Sequence, residues 1–147
     1  MIRKLDQESM IPLRHMVLRK NQPIETCYYP EDLDDGVFHL GAMQGEQVIA
    51  IASFYPQSCP SINATSAYRL RGMASHPDWR GKGVALQLLQ SGINECKSLA
   101  ADLLWFNART EAVGFYKRLN FDIKGEEFDI PQIGPHYLMY RHLTREE

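Results

Sequence analysis

The chain carries near its middle the sequence Arg71-Gly72-Met73-Ala74-Ser75-His76-Pro77-Asp78-Trp79-Arg80-Gly81-Lys82-Gly83-Val84-Ala85. This stretch predicts a strand, a tight turn and the first residues of a helix. Gly81 and Gly83 lack the Cβ atom that would keep a ligand away from the backbone, so consecutive N–H groups can converge on an anion. The following helix adds its unpaired N–H groups and the positive end of its dipole at the same point. The turn is therefore predicted to bind phosphate.

Two cationic residues and the spacing of the glycines indicate which kind of phosphate group the turn would bind. Arg80 and Lys82 place mobile positive charge beside the backbone N–H groups, which suits a pyrophosphate better than a carboxylate. A P-loop would need Ser or Thr after Lys82, and the Gly-x-Gly-x-x-Gly pattern of dinucleotide-binding folds is absent. The remaining pattern, Arg-x-x-Gly-x-Ala at Arg80, Gly83 and Ala85, resembles the coenzyme A pyrophosphate loop of the GNAT superfamily of acyltransferases.

A second stretch resembles another part of the same family. It reads Leu103-Leu104-Trp105-Phe106-Asn107-Ala108-Arg109-Thr110-Glu111-Ala112-Val113-Gly114-Phe115-Tyr116-Lys117-Arg118-Leu119-Asn120-Phe121. In GNAT domains a strand ending in Asn-Ala-Arg is followed by a helix that carries Phe-Tyr and closes with Gly-Phe. Asn120 stands where the family usually has glycine, and asparagine is the next most tolerant residue in the left-handed conformation that helix ends often need. On the two motifs the chain is identified as a member of the GNAT superfamily.

Composition sets the general class of protein. With 147 residues the chain is expected to form one domain, residues 1–147. The net charge of −2 and the lack of a long run of lysine or arginine argue against a nucleic-acid partner. Cys27, Cys59 and Cys96 match neither a disulfide framework nor a zinc site, so no metal is expected. The first ten residues lack a signal core and no apolar run could span a membrane, which predicts a soluble cytoplasmic protein without a membrane partner.

The patterns along the chain predict an α/β (α+β) fold. We expect a mixed, mostly antiparallel sheet of about six to seven strands with helices on both faces. The predicted strands are Ile2–Leu5, Phe38–Met43, Gln47–Tyr55, Tyr68–Ser75, Leu103–Asn107, Phe121–Phe128 and Tyr137–Leu143. The predicted helices begin with Pro12 in a first turn and run to Lys20, cover Val84–Leu99, and follow Arg109. The resemblance implies that the parallel strands Tyr68–Ser75 and Leu103–Asn107 splay apart in the centre of the sheet to form an acyl-CoA cleft.

The resemblance also implies which residues hold the cofactor. The pyrophosphate is expected at Arg80, Gly81, Lys82, Gly83, Val84 and Ala85. The pantetheine arm is expected to pair with the backbone of Met73, Ala74 and Ser75, and an N–H group near Met73 would stabilise the oxyanion of a tetrahedral intermediate. Asn107 resembles the asparagine that hydrogen-bonds the pantetheine, although the alternative is a residue of the turn before the helix.

Tyr116 is the expected catalytic residue. The tyrosine of the Phe-Tyr pair meets the sulfur of the leaving coenzyme A in the family. A thiol with a pKa of ~8.5 is a stronger acid than a tyrosine of ~10, so we expect a hydrogen bond that shares charge rather than a full proton transfer. The alternative is a core tyrosine with a satisfied hydroxyl, because Ala112, Phe115, Tyr116 and Leu119 form one helical stripe.

Together these features predict an acyl-CoA-dependent N-acyltransferase. Acetyl-CoA is the expected co-substrate, and the acetyl group would pass by direct attack in a ternary complex to the amine of a small molecule or peptide. Glu25, Asp32, His39, His76 and His136 could each accept the amine's proton, and no spacing singles one out. The acidic residues Glu31 to Asp35, Glu126, Glu127 and Asp129 either attract a cation or, as is more common, belong to solvated loops.

Three alternatives stay open at the level of the sequence. The first is a non-catalytic acyl-CoA sensor that keeps the fold and the loop. The second is an interaction module, working as a homodimer through its C-terminal strand. The third, a phosphate-ester or nucleotide enzyme, lacks a Ser or Thr after Lys82 and an evident magnesium carboxylate.

Overall fold

The computed structural model describes residues 1–144, which form one seven-stranded sheet flanked by helices. The strand order is β1-β2-β3-β4-β5-β7-β6, and every neighbouring pair is antiparallel except β4 and β5. The strands are β1 Ile2–Leu5, β2 Phe38–Gln44, β3 Gln47–Pro56, β4 Ala67–Ser75, β5 Leu103–Arg109, β6 Asp122–Ile130 and β7 Gly134–His142. The predicted mixed sheet with a central parallel pair is confirmed.

Helices cover both faces of the sheet. The helices are α1 Gln7–Leu13, which continues as a π-helical turn over Arg14–Leu18, α2 Val84–Ser98 and α3 Val113–Lys117. α1 buries Met10 and Leu13 against one face. α2 packs on the other face, where Gly92 lies so close to the ring of Phe54 that no side chain would fit between them. The predicted arrangement of helices is therefore confirmed.

The first helix begins earlier than predicted. Asp6 is its N-cap, and the Asp6 carboxylate accepts a hydrogen bond from the backbone N–H of Ser9 at 3.0 Å. Pro12 lies inside the helix rather than in its first turn, so the prediction from Pro12 is wrong. An Asp cap followed by polar residues is a stronger start signal than a proline six residues further on. The connection after this helix contains short 3₁₀ turns at Ile24–Cys27 and Pro30–Leu33.

The C-terminal part of the sheet differs in two ways from the prediction. The connection between the last two strands shrinks to residues 131–133, because β6 and β7 extend toward each other and pair at Ile130 and Gly134. The C-terminal strand β7 lies between β5 and β6, so its edges are both paired. Two copies cannot pair edge to edge through β7, since β6 is the edge strand at this side of the sheet.

Candidate active site

The central parallel strands form a cleft because they pair over only part of their length. β4 and β5 are bonded at Ala67, Tyr68 and Arg69, opposite residues 103–105, and separate beyond that point. The resulting cleft has a volume of about 790 Å³ and is lined by β4, β5, α3, the loop after β4, the end of the first helical segment and the β6–β7 hairpin. The predicted splay is confirmed, and the open strand edges carry backbone groups that can bond a ligand.

A β-bulge shapes β4 where it borders the cleft. Arg71 pairs with Ser53 and Ala74 with Ile51, so Gly72 and Met73 together face one residue of β3. Gly72 has φ +65°, a left-handed conformation that favours glycine. The bulge lets Met73 line the cleft, whereas the side chain of Ala74 is buried on the α1 side of the sheet. Ala74 can therefore offer a ligand only its backbone.

The glycine-rich loop after β4 has the conformation of an anion cradle. Gly81 and Gly83 have φ +76° and +80°, and a Cβ atom on either would meet no protein atom within 4 Å. The first intrahelical bond of α2 runs from Gln87 N–H to the carbonyl of Gly83 at 3.2 Å. The N–H groups of the three residues before Gln87 therefore have no intrahelical acceptor.

The cations and the helical residues of the loop have different surroundings. Arg80 is exposed and lines the cleft. Lys82 is also exposed, and its Nζ lies 5.3 Å from the ring centroid of Trp79. Val84 packs against the core and Ala85 is partly buried, so these two residues can contribute backbone N–H groups rather than side chains.

Tyr116 projects from α3 into the cleft. Its ring packs on Phe106 with the ring centroids 4.5 Å apart, and its hydroxyl donates a hydrogen bond to the Met73 thioether sulfur at 3.8 Å. Burial raises the pKa of Tyr116 to about 12, so the hydroxyl stays protonated at neutral pH. A thioether is a weak acceptor, and the hydroxyl is therefore available to a stronger one. Tyr116 also packs against the hydrophobic core, and Met73 is the acceptor of its hydroxyl.

Asn107 also borders the cleft. It lies inside β5, opposite Leu138 of β7, and is partly exposed toward the cleft. The alternative of a turn residue is wrong, because β5 continues to Arg109.

The five candidate bases separate clearly in the structure. Asp32 and His39 are buried together on the α1 side of the sheet, and Glu25 lies in an exposed 3₁₀ turn. His76 follows β4 and accepts a hydrogen bond at Nδ1 from Asp78 N–H at 3.1 Å. Of the five, His136 alone lines the cleft.

The hydrogen bonding of His136 defines its tautomer. Its Nδ1 lies 2.8 Å from the carbonyl oxygen of Gly134, and a carbonyl can only accept, so Nδ1 carries the proton. The Nε2 atom then holds a lone pair. The ring is stacked with Phe128 at a centroid distance of 6.1 Å, which restricts its rotation.

A buried polar network holds the wall of the cleft opposite α3, and the sequence patterns did not reveal it. Arg14 donates to both carboxylate oxygens of Asp32 at 2.6 and 3.0 Å and to the carbonyl of Cys27 at 2.8 Å. Tyr55 donates to Asp32 at 2.6 Å. Burial alone would raise the pKa of Asp32, yet the hydrogen bonds from Arg14, Tyr55 and Gln7 lower it to about 2. The available signal was a charged residue, Arg14, on the apolar face of the first helix.

Other residues at the cleft were also missed by the sequence analysis. These are Tyr29, Arg19, Arg71 and Arg109. The acidic residues have different places: Asp32 is buried, Glu31 pairs with Arg71 at 2.9 Å, and Glu127 accepts from Thr110 at 2.7 Å.

Two kinds of feature are absent from the described residues, 1–144: a helix that could span a membrane and a cluster of metal ligands. No helix there is long and apolar enough to cross a membrane. Within the same range, no group of three or more His, Cys, Asp and Glu side chains is placed to hold a metal ion.

Comparison with known proteins identifies the class to which this fold and cleft belong. Residues 3–121 match the family described as acetyltransferase (GNAT) family. The chain is 39% identical over 142 residues to the uncharacterized N-acetyltransferase YitI of Bacillus subtilis (strain 168), a match that covers 97% of this chain and 95% of YitI. The chain therefore belongs to the GNAT family of N-acetyltransferases.

Solved structures show the same fold at low sequence identity. A putative N-acetyltransferase from Lactobacillus plantarum superposes with a TM-score of 0.79 at 15% identity, covering 97% of this chain and 98% of that one. An aminoglycoside 6'-N-acetyltransferase complexed with coenzyme A superposes with a TM-score of 0.76 at 11% identity, covering 97% and 96%.

Proposed function

We propose that the protein transfers an acetyl group from acetyl-CoA to an amine by direct attack in a ternary complex. The observation that carries the proposal is the open gap between β4 and β5, because it connects the glycine-rich loop to Tyr116. Three unpaired cysteines support a reducing, cytoplasmic location.

In this proposal the loop binds the cofactor's pyrophosphate. The N–H groups at Gly81 to Ala85 would donate to the phosphate oxygens, and Arg80 and Lys82 would neutralise their charge. The pantetheine arm would run along the open edge of β4 at Met73 to Ser75 and reach Asn107 on the other side of the gap. The groups of β4 and β5 that border the gap do not bond each other there, so they can bond the pantetheine arm.

The chemical step needs a hydrogen-bond donor for each of two developing negative charges, one on the carbonyl oxygen and one on the leaving sulfur. The amine nitrogen attacks the thioester carbonyl carbon, a C–N bond forms, and the C–S bond then breaks. The N–H group near Met73, at the bulge, would stabilise the oxyanion. The Tyr116 hydroxyl, which now donates only to a thioether, would donate to the departing thiolate sulfur.

The attacking amine also has to lose a proton. A lysine-like amine with a pKa of ~10.4 is almost entirely protonated at pH 7, a handicap of roughly 4 to 5 kcal/mol. We assign the acceptor of that proton to Nε2 of His136, directly or through one water. The Nδ1–H bond to Gly134 favours the tautomer that this role requires.

Thermal unfolding with acetyl-CoA, free coenzyme A and ATP tests the binding half of the proposal. A ligand at about 100 times its dissociation constant adds roughly 2.7 kcal/mol, which raises the midpoint of a domain of this size by several degrees. The Gly83→Glu variant should lose the rise, because the new side chain fills the cradle with bulk and negative charge. Gly45→Glu is the matched control, since Gly45 also has positive φ and open space at its Cβ but lies in the β2–β3 turn.

The outcomes separate the proposed function from its alternatives. Equal loss of the rise in both variants, or no rise with either coenzyme A compound, would show that the loop is only a turn. A rise that Gly83→Glu alone removes justifies an amine screen by thiol release. Binding without thiol release from any amine would favour the non-catalytic sensor.

A further inference from the structure

The cleft has an unusual charge for a site that takes an amine. Three arginines line it apart from Arg80 of the loop, namely Arg19, Arg71 and Arg109, of which Arg71 pairs with Glu31 and Arg109 with Glu111. Among residues 1–144, no Asp or Glu side chain lines the cleft. A protonated amine approaching this region meets positive charge, which costs free energy unless the substrate itself brings a negative group.

Two of these arginines are held against one aromatic ring. The guanidinium carbon of Arg71 lies 5.0 Å from the centroid of the Tyr29 ring, and that of Arg19 lies 5.5 Å from it. The ring is buried, and the Tyr29 backbone N–H is anchored to the Asp32 carboxylate at 3.1 Å. Both cations are therefore positioned beside the same buried ring.

The third arginine near this ring has its charge compensated. Arg14 lies 4.1 Å from the Tyr29 centroid, and its guanidinium is bonded to both oxygens of Asp32. Arg14 is fully buried and does not reach the cleft. Arg14 is therefore committed to Asp32, whereas Arg19 and Arg71 line the cleft, where Arg71 also pairs with Glu31.

The partners of Arg19 and Arg71 leave much of their hydrogen-bonding capacity unused. Arg71 donates one bond to Glu31, whose side chain is half exposed and lies outside the cleft. Arg19 donates to the neutral side-chain oxygen of Gln22 at 2.9 Å. Each guanidinium has five N–H donors in a planar fork that matches a carboxylate or phosphate.

We propose that the acceptor is an amine that also carries an anionic oxygen group, which Arg19 and Arg71 bind beside Tyr29. A free amino acid has this chemistry, with its carboxylate on the arginines and its amine toward the thioester, and an amino-phosphate shares it. The inference rests on the proposed function and narrows its substrate class. It excludes polyamines and other polycationic acceptors, because the cleft offers them no carboxylate.

The experiment compares amines that differ only in the anionic group. The pairs are L-phenylalanine with 2-phenylethylamine, and O-phosphoethanolamine with ethanolamine, with spermidine as the polycation. Thiol release from acetyl-CoA gives kcat/KM for each. We expect the anionic member of an accepted pair to be preferred by about 10- to 100-fold, as partly exposed charge-assisted hydrogen bonds allow. The carboxylate and phosphate pairs show which anion is bound.

Variants connect this preference to the two arginines. Arg19→Met and the double variant Arg71→Met with Glu31→Gln remove one cleft charge each without leaving a carboxylate unpaired. Both should reduce the preference toward about 1 while changing kcat/KM for the uncharged member less than about threefold. Lys20→Met removes the same charge from an exposed neighbouring position and should keep the wild-type preference.

Failure of this inference is distinguishable from failure of the proposed function. Efficient acetylation of spermidine, or an equal loss for both members of a pair in the arginine variants, would overturn the inference while leaving N-acetyltransfer intact. If acetyl-CoA raises the unfolding midpoint and no amine is acetylated, the same amines and their N-acetyl derivatives are tested as ligands with coenzyme A. A rise in midpoint only for carboxylate or phosphate compounds, lost in Arg19→Met, supports the site, and no selective rise overturns it.

Discussion

Tyr116 shows how one side chain acquires a chemical role from its surroundings. Its hydroxyl lies in an aromatic pocket formed with Phe106, and burial raises its pKa to about 12. The raised pKa makes proton transfer to a thiolate more unfavourable than it is for a free tyrosine, because the thiol is by far the stronger acid. The residue therefore acts as a hydrogen-bond donor.

We expect Tyr116→Phe to lower kcat by about 10- to 100-fold without abolishing turnover, because a hydrogen bond to the leaving sulfur is lost and the ring packing is kept. The rise in unfolding midpoint with coenzyme A should remain. Tyr140→Phe removes a hydroxyl from a tyrosine that does not line the cleft and serves as the control. An unchanged kcat in Tyr116→Phe would contradict the role.

The proposed role of His136 as a base rests on its tautomer, which follows from the hydrogen bond between Nδ1–H and the Gly134 carbonyl. His136→Asn keeps a donor near Gly134 and removes the basic nitrogen, so kcat/KM near neutral pH should fall by about 10²- to 10⁴-fold. The loss should shrink as pH rises, because more of the amine is then deprotonated without help. Measurement of kcat/KM against pH checks this, with His76→Asn as the control; a parallel profile with an undiminished rate would rule His136 out.

At the scale of the element, α3 owes its position to the way it ends. Asn120 has φ +68°, and the N–H groups of Asn120 and Phe121 bond the carbonyls of Lys117 at 3.1 Å and Tyr116 at 3.2 Å. This pair of bonds is a Schellman motif, in which the left-handed residue reverses the chain. The predicted left-handed asparagine is confirmed. The stop brings Phe121 into the core directly after the helix that carries Tyr116.

We expect Asn120→Ala to lower the free energy of unfolding by about 1 kcal/mol, because alanine is strained in the left-handed region. Asn120→Gly should match or exceed the wild type, since glycine adopts this conformation freely. Urea unfolding of the three proteins measures the difference. Equal stability of the Ala and Gly variants would show that the backbone conformation contributes nothing.

At the scale of the whole molecule, the Arg14 and Asp32 pair joins three separate parts of the chain. Arg14 comes from the first helical segment, Asp32 from the connection before β2, and Tyr55 and Ser53 from β3, and all four are buried. His39 joins the network through Ser53 at 2.7 Å, and burial lowers the pKa of its imidazole. The network therefore attaches one wall of the cleft to the sheet.

This network predicts a stability that falls in acid in two ranges of pH. His39 has a lowered pKa in the folded protein, so unfolding is favoured as the pH drops below ~6.5, the value of a free histidine. Asp32 has a pKa of about 2 in the folded protein, so its contribution of about 2 kcal/mol is present above pH ~4 and is lost as the pH falls toward 2. Both effects lower stability in acid.

Unfolding midpoints between pH 7.5 and 2.5 test these signs. Asp32→Asn should be destabilised at neutral pH by about 3 to 5 kcal/mol, because Arg14 is left as an uncompensated buried charge, and should lose less stability than the wild type below pH 4. Asp34→Asn changes an exposed carboxylate two residues away and is the control. A wild-type midpoint that rises on acidification would contradict the assignment.

Local sequence patterns predicted those features of the protein that depend on neighbouring residues. The strands, the glycine-rich loop and the stripe of Phe115 and Tyr116 each follow from spacings of a few residues, and the family resemblance followed from two such stretches. The predicted start of α1 was wrong because two local signals, Asp6 and Pro12, indicate different starts, and the helix begins at the Asp6 cap. The full length of the β6–β7 hairpin was not predicted, because its strands are extended by pairing between residues on either side of the turn.

The sequence by itself determined the family, the positions of the strands along the chain and the position of the glycine-rich loop, because backbone conformation and side-chain periodicity act over one or two turns. Only the tertiary structure decided that His136 lines the cleft and that Arg19 and Arg71 share the ring of Tyr29. These residues are far apart in the chain and have no common spacing. They are brought together by the sheet order and by a buried ion pair between residues 14 and 32, whose hydrogen bonds offset the cost of desolvating two charges.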